Sequence, residues 1–246
     1  METAILHFYG ALNDHLSFKR QNTDFSHNFD GRVSVKDMIE SLGVPHTEVE
    51  AITVNGKAVD FSYLVADSDR VEVYGINTPA PVEAVPLRPP LPEEICFVLD
   101  THLGQLAAYL RMLGFDTLYR NDYPDEELAE ISSLENRILL TRDRGLLKRS
   151  LVTYGYYVRE TNPKRQVVEI LGRYHLADRI EPLRRCIRCN GSLKPVSKAA
   201  ILDRLDPKTR ELFDEFSLCT ICDQLYWKGS HYESMRRFIN ELLTAD

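Results

Sequence analysis

Hydrophobic and polar positions along the first 77 residues predict a small sheet crossed by one helix. Apolar residues alternate over Ala4–Tyr9, which is typical of a strand, and a second strand is predicted to end near Phe29. Ser34 is placed as the N-cap of a helix, and Asn55-Gly56 predicts a hairpin with a type I′ turn. A last strand follows. The order strand, strand, helix, hairpin, strand is that of a β-grasp domain, predicted over residues 1–77.

A proline-rich stretch separates this domain from the rest of the chain. Residues 78–94 contain six prolines in seventeen residues. Because proline fixes φ and removes a backbone donor, we expect an extended and fairly stiff linker here.

Residues 95–180 alternate between apolar runs and amphipathic segments. Ile95–Leu99 and Arg137–Thr141 are the runs expected of strands buried on both faces. Leucines at helical spacing predict a helix that ends at Gly114, and a second helix is predicted to begin at Pro124. Strands joined by helices predict an α/β/α domain with a parallel sheet.

Residues 181–246 contain two C-x-x-C pairs and a short amphipathic tail. The pairs are Cys186 with Cys189 and Cys219 with Cys222. Two such pairs can close a tetrahedral shell of four thiolates around Zn²⁺, with no open coordination position. The sequence therefore predicts a structural zinc ribbon followed by a C-terminal helix.

Charge changes sign along the middle of the chain. Residues 81–136 hold 3 Lys/Arg against 11 Asp/Glu, and residues 137–188 hold 13 against 5. Such a pattern is expected of carboxylates that hold a cation beside a surface attractive to phosphates. Two solvated faces would give the same pattern.

Acidic residues stand where two of the predicted strands end. Asp100 and Asp143 follow these strands, and Asp125 begins the helix between them, with Glu126 and Asp122 as alternatives. Functional groups gather at the carboxyl ends of parallel strands, and converging carboxylates suit Mg²⁺ or Mn²⁺. An aspartate after a strand is also typical of a helix N-cap, so a purely structural role is the competing interpretation.

Basic residues around Asp143 could hold a phosphate backbone. They are Arg142, Arg144, Lys148 and Arg149.

Three motifs resemble a known family of nucleases. FVLDTHLGQLAAYLRMLGFDTLY, NDYPDEEL and RILLTRDRGLLKR resemble the ribonuclease domain at the C-terminus of Mut-seven-type exonucleases, a PIN-like group. Stand-alone members resemble this chain along its length, from a ubiquitin-like front to a zinc ribbon ending like Tyr226–Tyr232. The resemblance implies a metal-dependent ribonuclease acting on RNA, with single-stranded RNA as the expected substrate. Asp100, Asp125 and Asp143 would bind the metal, with Glu126 as a further candidate and Asp122 as the rival for the second position.

The first domain also resembles small ubiquitin-like sulfur carriers. Those carriers end in a free Gly-Gly tail, whereas the last strand here continues through Gly75-Ile76-Asn77 into more protein. We therefore expect a binding or scaffolding role, with a possible protein partner, and no carrier activity.

The expected location is the cytoplasm, without membrane association. No stretch approaches the roughly 20 continuous apolar residues that cross a bilayer, and the N-terminus does not look like a signal peptide. Two alternatives to the nuclease stay open: a catalytically inactive RNA- or ribosome-associated binding protein, and a ubiquitin-like scaffold protein.

Overall fold

The computed structural model of the protein describes residues 1–81, 86–182 and 184–243. Residues 82–85 of the predicted linker lie outside the described residues. The chain separates into two compact units, each built from two stretches of sequence. The first unit is Met1–Glu94 with Pro124–Tyr157, and the second is Ile95–Tyr123 with Val158–Asp246.

The N-terminal part of the first unit is a five-stranded mixed sheet with one α-helix. Its elements are β1 (Glu2–Tyr9), β2 (Phe25–Phe29), α1 (Val35–Ser41), β3 (Val49–Val54), β4 (Lys57–Val59) and β5 (Arg70–Gly75). The strand order is β2-β1-β5-β3-β4. Strands β1 and β5 run parallel, and the other neighbours run antiparallel. This is the predicted β-grasp arrangement.

Local signals fix the helix and the hairpin of this domain. The Oγ of Ser34 accepts a hydrogen bond from the N–H of Asp37 at 3.1 Å, so Ser34 is the N-cap of α1. Asn55 and Gly56 have φ angles of 52° and 76°, the left-handed backbone that a type I′ turn requires. Apolar side chains of the sheet, with Phe8 among the largest, are buried in one core against α1.

Strands and helices alternate through the central region. The elements are β6 (Cys96–Leu99), α2 (Gly104–Met112), β7 (Asp116–Tyr119), α3 (Asp125–Leu134), β8 (Ile138–Thr141), α4 (Arg144–Leu147), β9 (Gly155–Tyr157) and α5 (Pro163–Tyr174). Strand β6 runs parallel to β7 in the second unit, and β8 runs parallel to β9 in the first unit. The predicted parallel sheet is therefore present.

Burial and turn geometry explain these elements. All residues of β8 are buried, as a strand covered on both faces must be. Gly114 ends α2 at φ +100°, and a Cβ there would lie 2.1 Å from the carbonyl oxygen of Glu181. Only glycine satisfies both conditions. Strand β9 begins only at Gly155, because Val152 closes a turn by donating its N–H to the carbonyl of Arg149 at 3.0 Å.

The described end of the predicted linker lies against the first unit. Leu87 donates its N–H to the carbonyl of Glu50 at 2.8 Å and packs on the β-grasp core. Arg88 forms an ion pair with Glu50 at 2.8 Å, and the hydroxyl of Tyr154 donates to the carbonyl of Pro90 at 2.9 Å.

The C-terminal part of the second unit is a small antiparallel sheet with two helices. Its elements are β10 (Leu193–Val196), α6 (Pro207–Leu212), β11 (Phe216–Cys219), β12 (Leu225–Trp227) and α7 (Ser230–Leu243). The strand order is β10-β11-β12. Ile201, in a 3-10 helix between the cysteine pairs, and Leu205, directly after that helix, join Phe216 and Leu225 in a core of their own.

Among the residues that the structure describes, no helix has both the length and the apolar character needed to cross a bilayer.

Candidate functional site

Two short loops of the second unit bring four cysteine sulfurs together. The Sγ atoms of Cys186 and Cys222 lie 3.6 Å apart, and those of Cys189 and Cys219 lie 3.4 Å apart. All four sulfurs are within 4.8 Å of one another. A tetrahedral ion with metal–sulfur bonds of about 2.3 Å holds its sulfurs about 3.8 Å apart. The four thiolates could therefore bind a metal ion such as zinc.

Backbone N–H groups prepare one of these sulfurs to carry negative charge. The N–H groups of Ile221 and Cys222 donate to the Sγ of Cys219 at 3.4 and 3.5 Å. Burial opposes ionisation of the Cys219 thiol, but donors around the sulfur outweigh burial and lower its pKa to about 6. At Gly191 a Cβ would lie 2.8 Å from the same sulfur, so the loop approaches it closely only with glycine there.

The first cysteine loop is fastened to strand β7 through Asn190. The Oδ1 of Asn190 accepts the N–H of Thr117 at 2.9 Å, and its Nδ2 donates to the Oδ1 of Asp116 at 2.9 Å. Arg185 forms an ion pair with Asp116, also at 2.9 Å. The first cysteine loop is thus part of the second unit's packing.

Arg111, on α2, adds a buried positive charge beside the cysteines. Its Nε donates to the carbonyl of Thr117 at 2.9 Å, and its Nη1 donates to the carbonyls of Ile187 and Arg188 at 3.2 and 3.0 Å. Burial lowers the pKa of Arg111, whereas the nearby cysteines and Asp116 act in the opposite direction. A divalent ion bound by four thiolates would be net negative, and the guanidinium of Arg111 would then complement its charge. The sequence pattern did not identify Arg111 as part of this site, although a charged residue among the apolar positions of α2 was a signal for it.

Two of the predicted catalytic aspartates are helix caps. Asp100 is 8% exposed, follows β6, and accepts the N–H of Thr101 at 2.6 Å. Asp143 follows β8 and is the N-cap of α4, since its Oδ1 accepts the N–H of Gly145 at 2.6 Å. The N–H of Asp143 in turn donates to the hydroxyl of Thr141 at 2.9 Å. The capping role that the sequence suggested is thus present at both positions.

The remaining acidic candidates are more exposed. Asp125 and Glu126 begin α3, and Arg149 lies 3.9 Å from the carboxylate of Asp125 and 2.8 Å from that of Glu126. The backbone N–H at the start of the helix, with Arg149, lowers the pKa of Glu126. The rival Asp122 pairs with Arg120 at 2.9 Å, and this guanidinium lowers the pKa of Asp122.

The basic residues around Asp143 have contacts within the first unit. Arg144 donates to the carbonyl of His15 at 3.1 Å, and Lys148 donates to the carbonyl of Glu40 at 2.5 Å. The guanidinium of Arg142 lies 6.0 Å from the ring centre of Tyr157. Of the predicted phosphate-binding residues, Arg144 and Lys148 therefore contact the β-grasp domain, and Arg149 contacts the acidic start of α3.

The β-grasp sheet, the parallel α/β strands and the four-cysteine module define a multidomain α/β protein. A family model described as Mut7-C RNAse domain matches residues 95–239, and one described as Mut7-C ubiquitin matches residues 1–80. The chain belongs to the Mut7-C RNAse domain family, and its N-terminal domain is of the Mut7-C ubiquitin type. Comparison with curated proteins and with solved structures gave no match. Family membership suggests a nuclease, and the ubiquitin-like domain suggests protein interaction.

Proposed function

We propose that the protein is a metal-dependent ribonuclease that hydrolyses phosphodiester bonds of single-stranded RNA. The observation that carries the proposal is the match of residues 95–239 to the Mut7-C RNAse domain. Aspartates after β6 and β8 support it, because parallel sheets gather functional groups at the carboxyl ends of their strands.

Asp100, Asp125 and Asp143 are the proposed ligands of Mg²⁺ or Mn²⁺, with Glu126 as a further candidate. Carboxylate oxygens are the donors that these hard cations prefer. A bound cation would lower the pKa of an attacking water and neutralise charge on the phosphate. The protein's part is to hold the carboxylates in place, and the cap bonds of Asp100 and Asp143 restrict their side chains.

Arg142, Arg144, Lys148 and Arg149 are the proposed contacts to RNA phosphates. A guanidinium carries five N–H donors and an ammonium carries three. The carbonyl contacts of Arg144 and Lys148 therefore leave further donors for phosphate oxygens.

Zinc is the proposed ion of the four-cysteine site, in a structural role. Four thiolates fill a tetrahedral shell and leave no position for a substrate or water. The contacts of Asn190 and Arg111 support this role, because they join the cysteine loop to the body of the second unit.

The replacement of Asp143 by Asn separates the catalytic from the structural interpretation. Asn caps helices about as well as Asp but lacks the charge that holds a cation. In Mn²⁺ or Mg²⁺, we expect Asp143→Asn to lower cleavage of single-stranded RNA about 100-fold or more, equal to about 2.7 kcal/mol of barrier. Its melting temperature should stay close to that of wild type.

Asp206→Asn is the matched control. Asp206 caps α6 by accepting the N–H of Thr209 at 3.0 Å, so the same exchange at that cap should leave RNA cleavage unchanged. Cleavage by wild-type protein in EDTA, or full cleavage by Asp143→Asn, would contradict the proposal.

A catalytically inactive RNA-binding protein is the second candidate function. One observation favours it: Asp100 and Asp143 already serve as caps, and Arg149 lies against Asp125 and Glu126. Such a protein would bind single-stranded RNA without any metal-dependent cleavage, so the same assay separates the two candidates.

A further inference from the structure

The segment that follows Asp143 is held by the β-grasp domain. We define the post-Asp143 segment as residues 144–157, which include α4 and β9. This segment and the β-grasp domain belong to the same compact unit.

Glu48, a buried residue of the β-grasp domain, contacts the end of this segment. It is 2% exposed and belongs to the 3-10 helix His46–Glu48, just before β3. Its Oε1 accepts the N–H of Tyr157, the last residue of β9, at 2.7 Å. Its Oε2 lies 3.0 Å from the Nε2 of His15, whose side chain is also buried. A carboxylate is buried at this depth only where hydrogen bonds replace water.

Other contacts hold the start and the middle of the segment. The Nη1 of Arg144 donates to the carbonyl of His15 at 3.1 Å, and the Nζ of Lys148 donates to the carbonyl of Glu40 at 2.5 Å. The ring of His46 lies between the Glu40 carboxylate, at 2.7 Å, and the carbonyl of Val152, at 3.2 Å. Residues 144, 148, 152 and 157 are thus each bonded to the β-grasp domain.

These contacts begin at the residue next to Asp143 and end where β9 ends. Asp143 itself caps α4, whose position the Arg144 and Lys148 contacts restrict. We propose that the β-grasp domain is a built-in positioning element of the nuclease, which uses Glu48 as its main positioning residue to fix the segment carrying α4 and hence the carboxylate of Asp143. The catalytic part of this inference depends on the proposed function, but the ordering of the segment does not.

Hydrogen exchange tests the ordering of the segment directly. The variants are Glu48→Ala, Glu48→Gln and the control Glu72→Ala. Glu72 accepts from the hydroxyls of Tyr9 and Thr53 at 3.1 and 3.2 Å, and both contacts lie inside the β-grasp domain. Because the segment loses its charge-assisted hydrogen bond at Tyr157, peptides over 144–157 should exchange about tenfold faster in Glu48→Ala.

Glu48→Gln keeps the side-chain volume and one acceptor for the N–H of Tyr157. We therefore expect exchange in this variant to fall between wild type and Glu48→Ala, and this variant carries the test if Glu48→Ala does not fold. Glu72→Ala should leave exchange over 144–157 unchanged. The inference would be overturned if the folded Glu48 variants exchanged over 144–157 at the wild-type rate. It would also be overturned if Glu72→Ala accelerated exchange there as much as Glu48→Ala does.

The Mn²⁺ dependence of RNA cleavage tests the link to Asp143. Loss of a residue that positions a metal ligand typically weakens metal binding about 10-fold or more. Glu48→Ala should raise the Mn²⁺ concentration for half-maximal cleavage by that factor, with partial recovery in Glu48→Gln and little change in Glu72→Ala. Equal shifts in Glu48→Ala and Glu72→Ala would overturn the link. A wild-type protein without nuclease activity would sink the proposed function, while the exchange measurement would still decide the ordering role.

Discussion

Replacing Asn190 tests how much the contacts of the first cysteine loop contribute to the stability of the second unit. Asn190 is 7% exposed and lies at φ +70°, next to the proposed zinc ligand Cys189. Its side chain joins the N–H of Thr117 and the carboxylate of Asp116, both on β7. Asn190→Ala removes these bonds without changing a metal ligand.

The loss of unfolding free energy can be estimated from the groups that lose their hydrogen-bond partner in Asn190→Ala. Thr117 is completely buried, so its N–H would lose its partner away from water, which costs about 1–3 kcal/mol. The bond to the Asp116 carboxylate contributes about 1.5 kcal/mol more, at the low end for a charged partner since Asp116 is half-buried. Alanine tolerates positive φ about 1 kcal/mol less well than asparagine. We expect Asn190→Ala to lower the unfolding free energy of the second unit by about 4 kcal/mol.

Two further variants separate the backbone from the side chain. Asn190→Gly keeps the left-handed backbone free of strain, so it should be about 1 kcal/mol more stable than Asn190→Ala. Asn136 has φ +50° and is exposed, so Asn136→Ala reports the backbone effect alone, also about 1 kcal/mol.

The assay is native-state hydrogen exchange at Thr117 with urea unfolding of the metal-loaded protein. The metal content of Asn190→Ala should equal that of wild type, while the Thr117 amide loses most of its protection. The reasoning is refuted if Asn190→Ala lowers the unfolding free energy of the second unit by no more than Asn136→Ala lowers that of the first unit, or if the Thr117 amide stays protected in Asn190→Ala.

Two other predictions concern the metals. Purified protein should contain about one zinc per chain, and Cys219→Ser with Cys222→Ser should remove it, measured by elemental analysis; unchanged zinc in that double variant would exclude the site. At the second acidic position, Asp125→Asn should abolish Mn²⁺-dependent RNA cleavage while Asp122→Asn retains it. The reason is that Asp122 is closely paired with Arg120 at 2.9 Å, whereas Arg149 lies 3.9 Å from Asp125; the reverse result would make Asp122 the ligand.

Local structure was predictable because its causes lie within a few residues. The cap at Ser34 and the turn at Asn55-Gly56 each depend on one or two side chains and their own φ angles. The end of α2 at Gly114 was equally visible. The cysteine pairs were predictable for a related reason, since thiolates three residues apart share one ion wherever the two pairs meet.

The contacts that position the site could not be predicted in the same way. Glu48 and Tyr157 are separated by 109 positions in sequence, and Arg111 and Arg188 by 77. Nothing near Glu48 distinguishes a buried carboxylate from an ordinary exposed one, because its partner comes from another part of the chain. Arg111 gave a weak signal only, as a charge among leucines.

The aspartates show why sequence patterns cannot separate a cap from a metal ligand. The Oδ1 of Asp143 accepts the N–H of Gly145, and the Oδ1 of Asp100 accepts that of Thr101. An ionised carboxylate offers about four lone-pair positions, so one or two cap bonds do not use its capacity to bind a cation. A cap bond also restricts rotation of the aspartate side chain in advance, so less conformational entropy is lost when that side chain binds a cation. The two roles are therefore compatible in one residue, and only the charge, which Asn lacks, distinguishes them.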